Sequence, residues 1–289
     1  VDWSVLLAQA TINGLIVGLL YLLMAVGFTL VFGVMRMVNF AHGEFYMLGA
    51  VSAYFLTTWL QLPFLAAVAV TFFGSVLFGG LLEWLILQPF RRDELNGMIV
   101  TIGMAMILQN LALILCGPDP LSMPAVVEGT LQVAGIFIPY SRIYVVFFAL
   151  LVLALLYGYL KYSRSGRALR AVVEDFEIAS IQGIRARIYY PLGFGLGVGL
   201  ASIAGALMAP LFSVSPFVGA TPLLKAFIVV VLGGLGSIPG AAFAGLVLGL
   251  IESYASLFFS SSTADMMIFA LVMVMLVLRP KGLLGKGEV

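Results

Sequence analysis

Long apolar runs dominate the chain, separated by short breaks that hold polar residues, glycine or proline. Nine runs stand out: residues 6–32, 45–60, 64–87, 96–115, 143–162, 191–212, 223–238, 240–258 and 264–278. Most approach the roughly 20 residues that an α-helix needs to cross a hydrocarbon core. Inside lipid every backbone polar group must be paired internally, which leaves helices or a closed barrel. The runs are continuous rather than alternating, so they predict helices and exclude the barrel. The run after His42 and the pair divided at Pro239 are the least regular, because glycine and proline there can break a helix within the membrane.

Composition sharpens this picture. Of 289 residues, 63% are hydrophobic and 9% charged, with a mean hydropathy of +1.17. Soluble domains carry about 25% charged residues, and this alphabet cannot cover a water-facing surface. The expectation is an all-α integral membrane protein, a polytopic bundle of about 8–9 transmembrane helices, with residues 1–289 as one transmembrane domain. The first run is too long for a signal-peptide core, and residues 1–11 contain no Lys or Arg, so it is expected to remain as a helix. The net charge of +1 points to no nucleic acid or other charged partner. Cys116 is the single cysteine, so no internal disulfide or CxxC site can form.

Lys and Arg give the orientation. Arg36, Arg91, Arg92, Lys161, Arg164, Arg167, Arg170, Arg185, Arg187, Arg279, Lys281 and Lys286 fall on one side if the parity closes with about nine crossings. That arrangement puts the N-terminus outside, the C-terminus inside, and only Arg142 and Lys225 near the outer face. The link 117–140, with Asp119 and Glu128, becomes an outer loop. Eight crossings remain open if one segment is re-entrant.

A faint internal repeat appears at a shift of 169 residues. It aligns Gly80-Leu81-Leu82-Glu83 with Gly249-Leu250-Ile251-Glu252, and Met98-Ile99 with Met267-Ile268. Met104 and Met106 align with Met273 and Met275 in the same way. In the expected topology the two copies run in opposite senses, which makes the repeat inverted, a common transporter architecture. Acids inside apolar helices are rare, so the paired glutamates strengthen the match. Only Glu83 and Glu252 lie clearly within the runs, and no buried Lys or Arg is evident to pair them.

Three polar or glycine-rich stretches carry the candidate chemistry. Asn39, His42 and Glu44 sit where one apolar run ends and the next begins. Polar groups there either cap and pack a helix or line a solute path. Two ligands without a third make no metal site.

The stretch 163–188 holds Arg167, then Glu174 and Asp175, then Ala179 and Gly183. It predicts one or two short amphipathic helices on the inner face. Ala171, Val172, Phe176, Ile178, Ala179, Ile181 and Ile184 need something to bury them, such as a partner protein.

The run 231–240 contains Gly233, Gly234, Gly236 and Pro239. It lacks the Lys-Ser/Thr ending of a phosphate loop, so it reads as close helix packing or a helix break. No HExxH, nucleophile elbow or Cys/His cluster occurs, and no catalytic residue, metal or cofactor is assigned.

Asn39-Phe40-Ala41-His42-Gly43-Glu44 with Met47-Leu48-Gly49-Ala50 resembles the early motif of the LivH-type branched-chain amino acid ABC transporter permease family. Arg164-Ser165-Gly166-Arg167-Ala168-Leu169-Arg170-Ala171, with Ala179 and Gly183-Ile184, resembles that family's ATPase-docking loop. The motif 231–240 resembles its late glycine-rich stretch. The resemblance covers about residues 10–283 in the expected order.

It implies a five-part importer in a bacterial inner membrane. The parts would be a periplasmic substrate-binding protein, this permease, a second LivM-type permease and two ABC ATPases. The solute would be a branched-chain amino acid or another small polar molecule such as urea or an amide. Arg167, Glu174, Asp175, Ala179 and Gly183 would serve coupling, and Asn39, His42 and Glu44 the path or its gate. The competing class, an autonomous channel or ion-coupled carrier, would need more intramembrane ionisable residues than are evident.

Overall fold

The computed structural model describes residues 3–91, 93–133, 135–234 and 236–278. Arg92, Leu235, Arg279, Lys281 and Lys286 lie outside the described residues. Each of the nine predicted runs is a helix. These are α1 (Trp3–Met35), α2 (His42–Thr58), α3 (Phe64–Leu82), α4 (Glu94–Cys116), α5 (Tyr140–Tyr162), α8 (Ala186–Met208), α9 (Ala220–Gly233), α10 (Ile238–Phe258) and α11 (Ser261–Leu278). Two short helices, α6 (Arg164–Glu174) and α7 (Phe176–Ile181), fill the polar stretch between α5 and α8. Among the described residues, six helices are long and apolar enough to cross a membrane: α1, α3 with the turns that follow it, α4, α5, α8 and α10. The protein is therefore a helical, multi-pass membrane protein.

Local chemistry sets the boundaries. Asp93 caps α4 by accepting from Asn96 N at 3.1 Å, Ser163 caps α6 from Gly166 N at 2.8 Å, and Ser237 caps α10 from Gly240 N at 3.1 Å. Pro63 and Pro139 immediately precede α3 and α5. After α3 the helix widens into a π-turn, Glu83–Leu87, and then tightens into a 3-10 turn, Gln88–Phe90.

Helix α1 is the central post. Its residues from Gly18 to Val31 are all buried, as expected for a helix that is apolar on every side. It runs antiparallel to α10, and a Cβ at Gly18 would come within 2.8 Å of Gly245 O. Helices α2 and α8 approach as closely: a Cβ at Gly49 would lie 1.9 Å from Ser202 O. Small residues let membrane helices touch backbone to backbone, where dispersion rather than water drives association. Helix α8 packs along α3 as α1 packs along α10. The 169-residue shift carries Gly80 on α3 onto Gly249 on α10, so the repeat pairs correspond in packing as well as in sequence.

By contrast, α4 buries only the stripe Gly97, Thr101, Met104, Leu108 and Ala112, and presents Ile99, Met106, Ile107 and Ile114 outward.

The bundle has two distinct ends. At one, Arg36, Arg91, α6, α7 and the start of α8 come together. At the other, the link between α4 and α5 forms an antiparallel hairpin, β1 (Thr130–Val133) with β2 (Ile136–Pro139). Hydrophobic periodicity carries no sign of this hairpin. It lies on the start of α1, where Phe137 N donates to Gln9 Oε1 at 3.0 Å and Arg142 donates to Asn13 Oδ1.

Candidate functional site

The break between α1 and α2 is buried. His42, the first residue of α2, places Nε2 3.2 Å from Met24 O on α1. Met24 lies about 16 Å before the end of α1 along its axis. The linker 36–41 therefore climbs back into the bundle, and α2 starts well inside it. The climb follows α4: Met37 sits against Gly97, and Phe40 N donates to Thr101 Oγ1 at 3.1 Å. Asn39 Oδ1 accepts from Ala41 N at 3.0 Å, and Asn39 O accepts from His42 N at 3.2 Å. Asn39 thus braces the turn that leads into α2, whose own N-cap, Ala41, has no side-chain cap. The ring of Phe28 meets His42 edge-on, with centroids 5.3 Å apart.

Asn39, His42 and Glu44 are exposed by only 1%, 0% and 8%. Yet Asn39 Nδ2, His42 Nδ1 and Glu44 Oε2 have no hydrogen-bond partner among the described residues. A buried polar atom left unpaired costs about 1–3 kcal/mol. Bracing the turn explains one end of Asn39 and packing one nitrogen of His42. The free atoms go beyond either role, and they sit at the start of a helix that begins within the bundle.

The helices α6 and α7 form the predicted amphipathic pair. Asp175 separates them and caps α7 through Ile178 N at 2.9 Å. Gly166 lets α6 fold back on α5, since a Cβ there would lie 2.2 Å from Tyr159 O. Gly183 ends α7 with φ +83°, donating to Ser180 O at 3.0 Å, a left-handed cap that favours glycine.

Not all the apolar residues of this loop need a partner. Val172 and Ala179 are buried against Ala171, Ile184, Tyr189 and Tyr190 of this chain, which corrects the expectation for those positions. Phe176, Ile178 and Ile181 remain exposed at 40%, 55% and 86%. Arg167, Glu174, Asp175, Glu177 and Gly183 are exposed around them.

The late glycine-rich motif is a hairpin between α9 and α10. Gly233 ends α9, Gly234 and Gly236 take φ of +96° and +83°, and Pro239 opens α10. A Cβ at Gly240 would lie 1.9 Å from Gly233 O. The motif is both a break and a close contact.

The two intramembrane glutamates are paired, which overturns the sequence expectation. Arg91 donates Nε to Glu83 Oε1 at 2.6 Å and Nη2 to Glu83 Oε2 at 2.8 Å. The π- and 3-10 turns bring Arg91 back over Glu83, a reach that straight helical spacing would not give. The same guanidinium lies 4.3 Å over the ring of Tyr190, and Tyr190 packs on Phe176 of α7 at 5.6 Å.

Lys225 is buried on α9, where its Nζ lies 2.5 Å from Glu252 Oε1 and 3.1 Å from Asp265 Oδ1. Tyr21 donates to the same Glu252 oxygen at 3.3 Å. Charge counting places Lys225 near the outer face but shows no partner for it. The hairpin, which returns α10 alongside α9, was the missing signal. Arg36, whose guanidinium bonds the end of α6, was also passed over, because positional bias made it only a topology marker.

A buried helix bundle with a helix starting inside it, and an amphipathic helix pair at its basic end, defines a multi-pass helical membrane protein. The family model described as branched-chain amino acid transport system / permease component matches residues 10–278. The chain belongs to that family.

It is 35% identical to the high-affinity branched-chain amino acid transport system permease protein LivH of Salmonella typhimurium, over 97% of this chain and 96% of the relative. LivH of Escherichia coli K12 and BraD of Pseudomonas aeruginosa, which bears the same description, show the same identity and coverage. No solved structure matches the chain.

Proposed function

We propose that this chain is one permease subunit of a bacterial ABC importer, residing in the inner membrane as a single transmembrane domain. It pairs with a second, LivM-type permease, and the two form the route for a branched-chain amino acid or a related small polar solute. A periplasmic binding protein delivers the solute, and two separate ATPases bind and hydrolyse ATP. The relatives' transport names support the substrate class.

One observation carries the mechanism. Phe176, Ile178 and Ile181 stand exposed on a short helix pair whose other apolar residues are already covered. Acids at Glu174, Asp175 and Glu177 surround them. An exposed apolar cluster rimmed by charge on a solvent-side helix is what a partner protein covers. In this reading α6 and α7 lie on the cytoplasmic face and dock on an ATPase, with Arg167, Glu174, Asp175 and Gly183 at the contact and Ala179 holding α7 against its own bundle.

Asn39, His42 and Glu44 border the solute route or its gate, because their unpaired atoms give a passing polar solute donors and acceptors in an otherwise apolar bundle. The hairpin at Gly233, Gly234, Gly236 and Pro239 fixes the neighbouring pair α9–α10. Nucleotide shifts the permease only if it favours one arrangement of the docked loop.

Site-directed cross-linking in the assembled importer tests the docking. A cysteine at Ile181 is expected to link to an ATPase subunit through a short bifunctional thiol reagent, whereas one at Ser122 should not. An assembled complex in which Ile181→Cys links to neither ATPase would refute the assignment.

A further inference from the structure

The ends of α1 and α6 interlock beside the exposed loop. A Cβ at Gly33 would lie 2.6 Å from Val173 Cγ1, so the two helices meet with no room for a larger residue. Three residues on, Arg36 reaches over the end of α6. Its Nη2 donates to the carbonyl oxygens of Val173 at 2.9 Å and Glu174 at 3.2 Å. These carbonyls belong to the last turn of α6, where no helical N–H is left to bond them and the helix dipole is negative.

The backbone of Arg36 is equally specific. Its N–H still bonds Phe32 O at 2.7 Å, closing α1, but its φ is +56°. A non-glycine residue enters that region at a steric cost. The left-handed step throws the chain out of α1 and starts the climb along Gly97 and Thr101 of α4 to Asn39 and His42. One residue therefore holds the docking loop with its side chain and opens the α1–α2 break with its backbone.

We infer that Arg36 is a positioning residue for coupled transport: it transmits displacement of the α6–α7 loop to the α1–α2 break. The inference rests on the reading that the loop docks on an ATPase. The contact suits a moving part. Among the described residues the exposed guanidinium bonds backbone oxygens alone, so it can follow α6 or release it without stranding a buried charge. A simple helix cap would act differently, stabilising α6 with no effect on how much solute each ATP moves.

The test uses the complete importer in liposomes, with uptake and ATP hydrolysis measured together. Arg36→Gly removes the guanidinium but accepts φ > 0 freely, so the turn survives. Arg36→Lys keeps a cationic donor. Each variant also carries the Ile181→Cys cross-link as a report of docking.

Arg36→Gly should keep the cross-link and hydrolyse ATP while uptake per ATP falls by about fivefold or more. Arg36→Lys should recover part of the loss. Unchanged uptake per ATP in Arg36→Gly with the cross-link intact would overturn the inference. So would a proportional fall of uptake and hydrolysis, or loss of assembled complex, in Arg36→Gly, either of which marks a cap alone. Absence of the cross-link in the parent protein would instead remove the docking reading, and Arg36 with it.

Discussion

Arg91 closes on Glu83 with two hydrogen bonds of 2.6 and 2.8 Å, and the carboxylate side chain is fully buried. Removing one member of such a pair leaves the other charge without a partner, which costs about 3–5 kcal/mol. Glu83→Ala should therefore lower the melting temperature of the detergent-solubilised protein sharply. Glu83→Leu combined with Arg91→Met should recover most of that loss, because an apolar pair of similar volume needs no desolvated charge. A double variant that melts no higher than Glu83→Ala would show that the pair is not what holds this turn.

The Lys225 triad answers to the same logic with the opposite imbalance. One ammonium faces Glu252 and Asp265, so Lys225→Met leaves two carboxylates without their shared cation, and Tyr21 donates to Glu252 alone among the described residues. Lys225→Met should destabilise more than Lys225→Met with Glu252→Gln, and a double-mutant cycle on thermal unfolding reads the difference. Additive effects would mean that the two groups do not interact.

The glycine contacts separate by what faces them. A Cβ at Gly49 meets Ser202 O at 1.9 Å, while a Cβ at Gly103 meets nothing within 4 Å. Gly49→Ala should abolish most folded protein by forcing α2 from α8. Gly103→Ala should fold like the parent, with a gain of up to about 1 kcal/mol in helix propensity. Fluorescence-detected size-exclusion chromatography of both variants checks this, and equal recovery of the two would contradict the α2–α8 packing.

Orientation is measurable by thiol labelling. With Cys116 replaced, Ser122→Cys should react with an impermeant maleimide applied to intact spheroplasts, whereas Glu177→Cys should react only after lysis. The reverse pattern would place α6 and α7 outside and end their role in docking.

Much of the fold was legible in the chain. Each apolar run became a helix because continuous hydrophobicity, bounded by Asp93, Ser163, Ser237 and the prolines, leaves little alternative inside lipid. The amphipathic pair at 164–181 and the helix break at 231–240 are readable for the same local reasons. What was not legible depended on return contacts. Arg91 reaches Glu83 only because the helix widens at Glu83–Leu87. Lys225 finds Glu252 only because α9 and α10 fold back on each other, and Val172 and Ala179 find Tyr189 and Tyr190 on the next helix. The depth of His42 was also hidden, since nothing in residues 36–41 announces that the linker climbs beside α4. Pattern fixes elements, whereas partners across a bundle follow from packing that one sequence does not display.

If ATPases drive this chain through its loop, it moves solute only when they act on it. The direct measurement is uptake of radiolabelled leucine into proteoliposomes containing the purified chain with its second permease and a binding protein, with and without the two ATPases and internal ATP. Accumulation is expected only when ATPases and ATP are both present, and should be lost when a non-hydrolysable analogue replaces ATP. Accumulation by the permeases alone, above the rate of empty liposomes, would contradict it and point to a channel or an ion-coupled carrier.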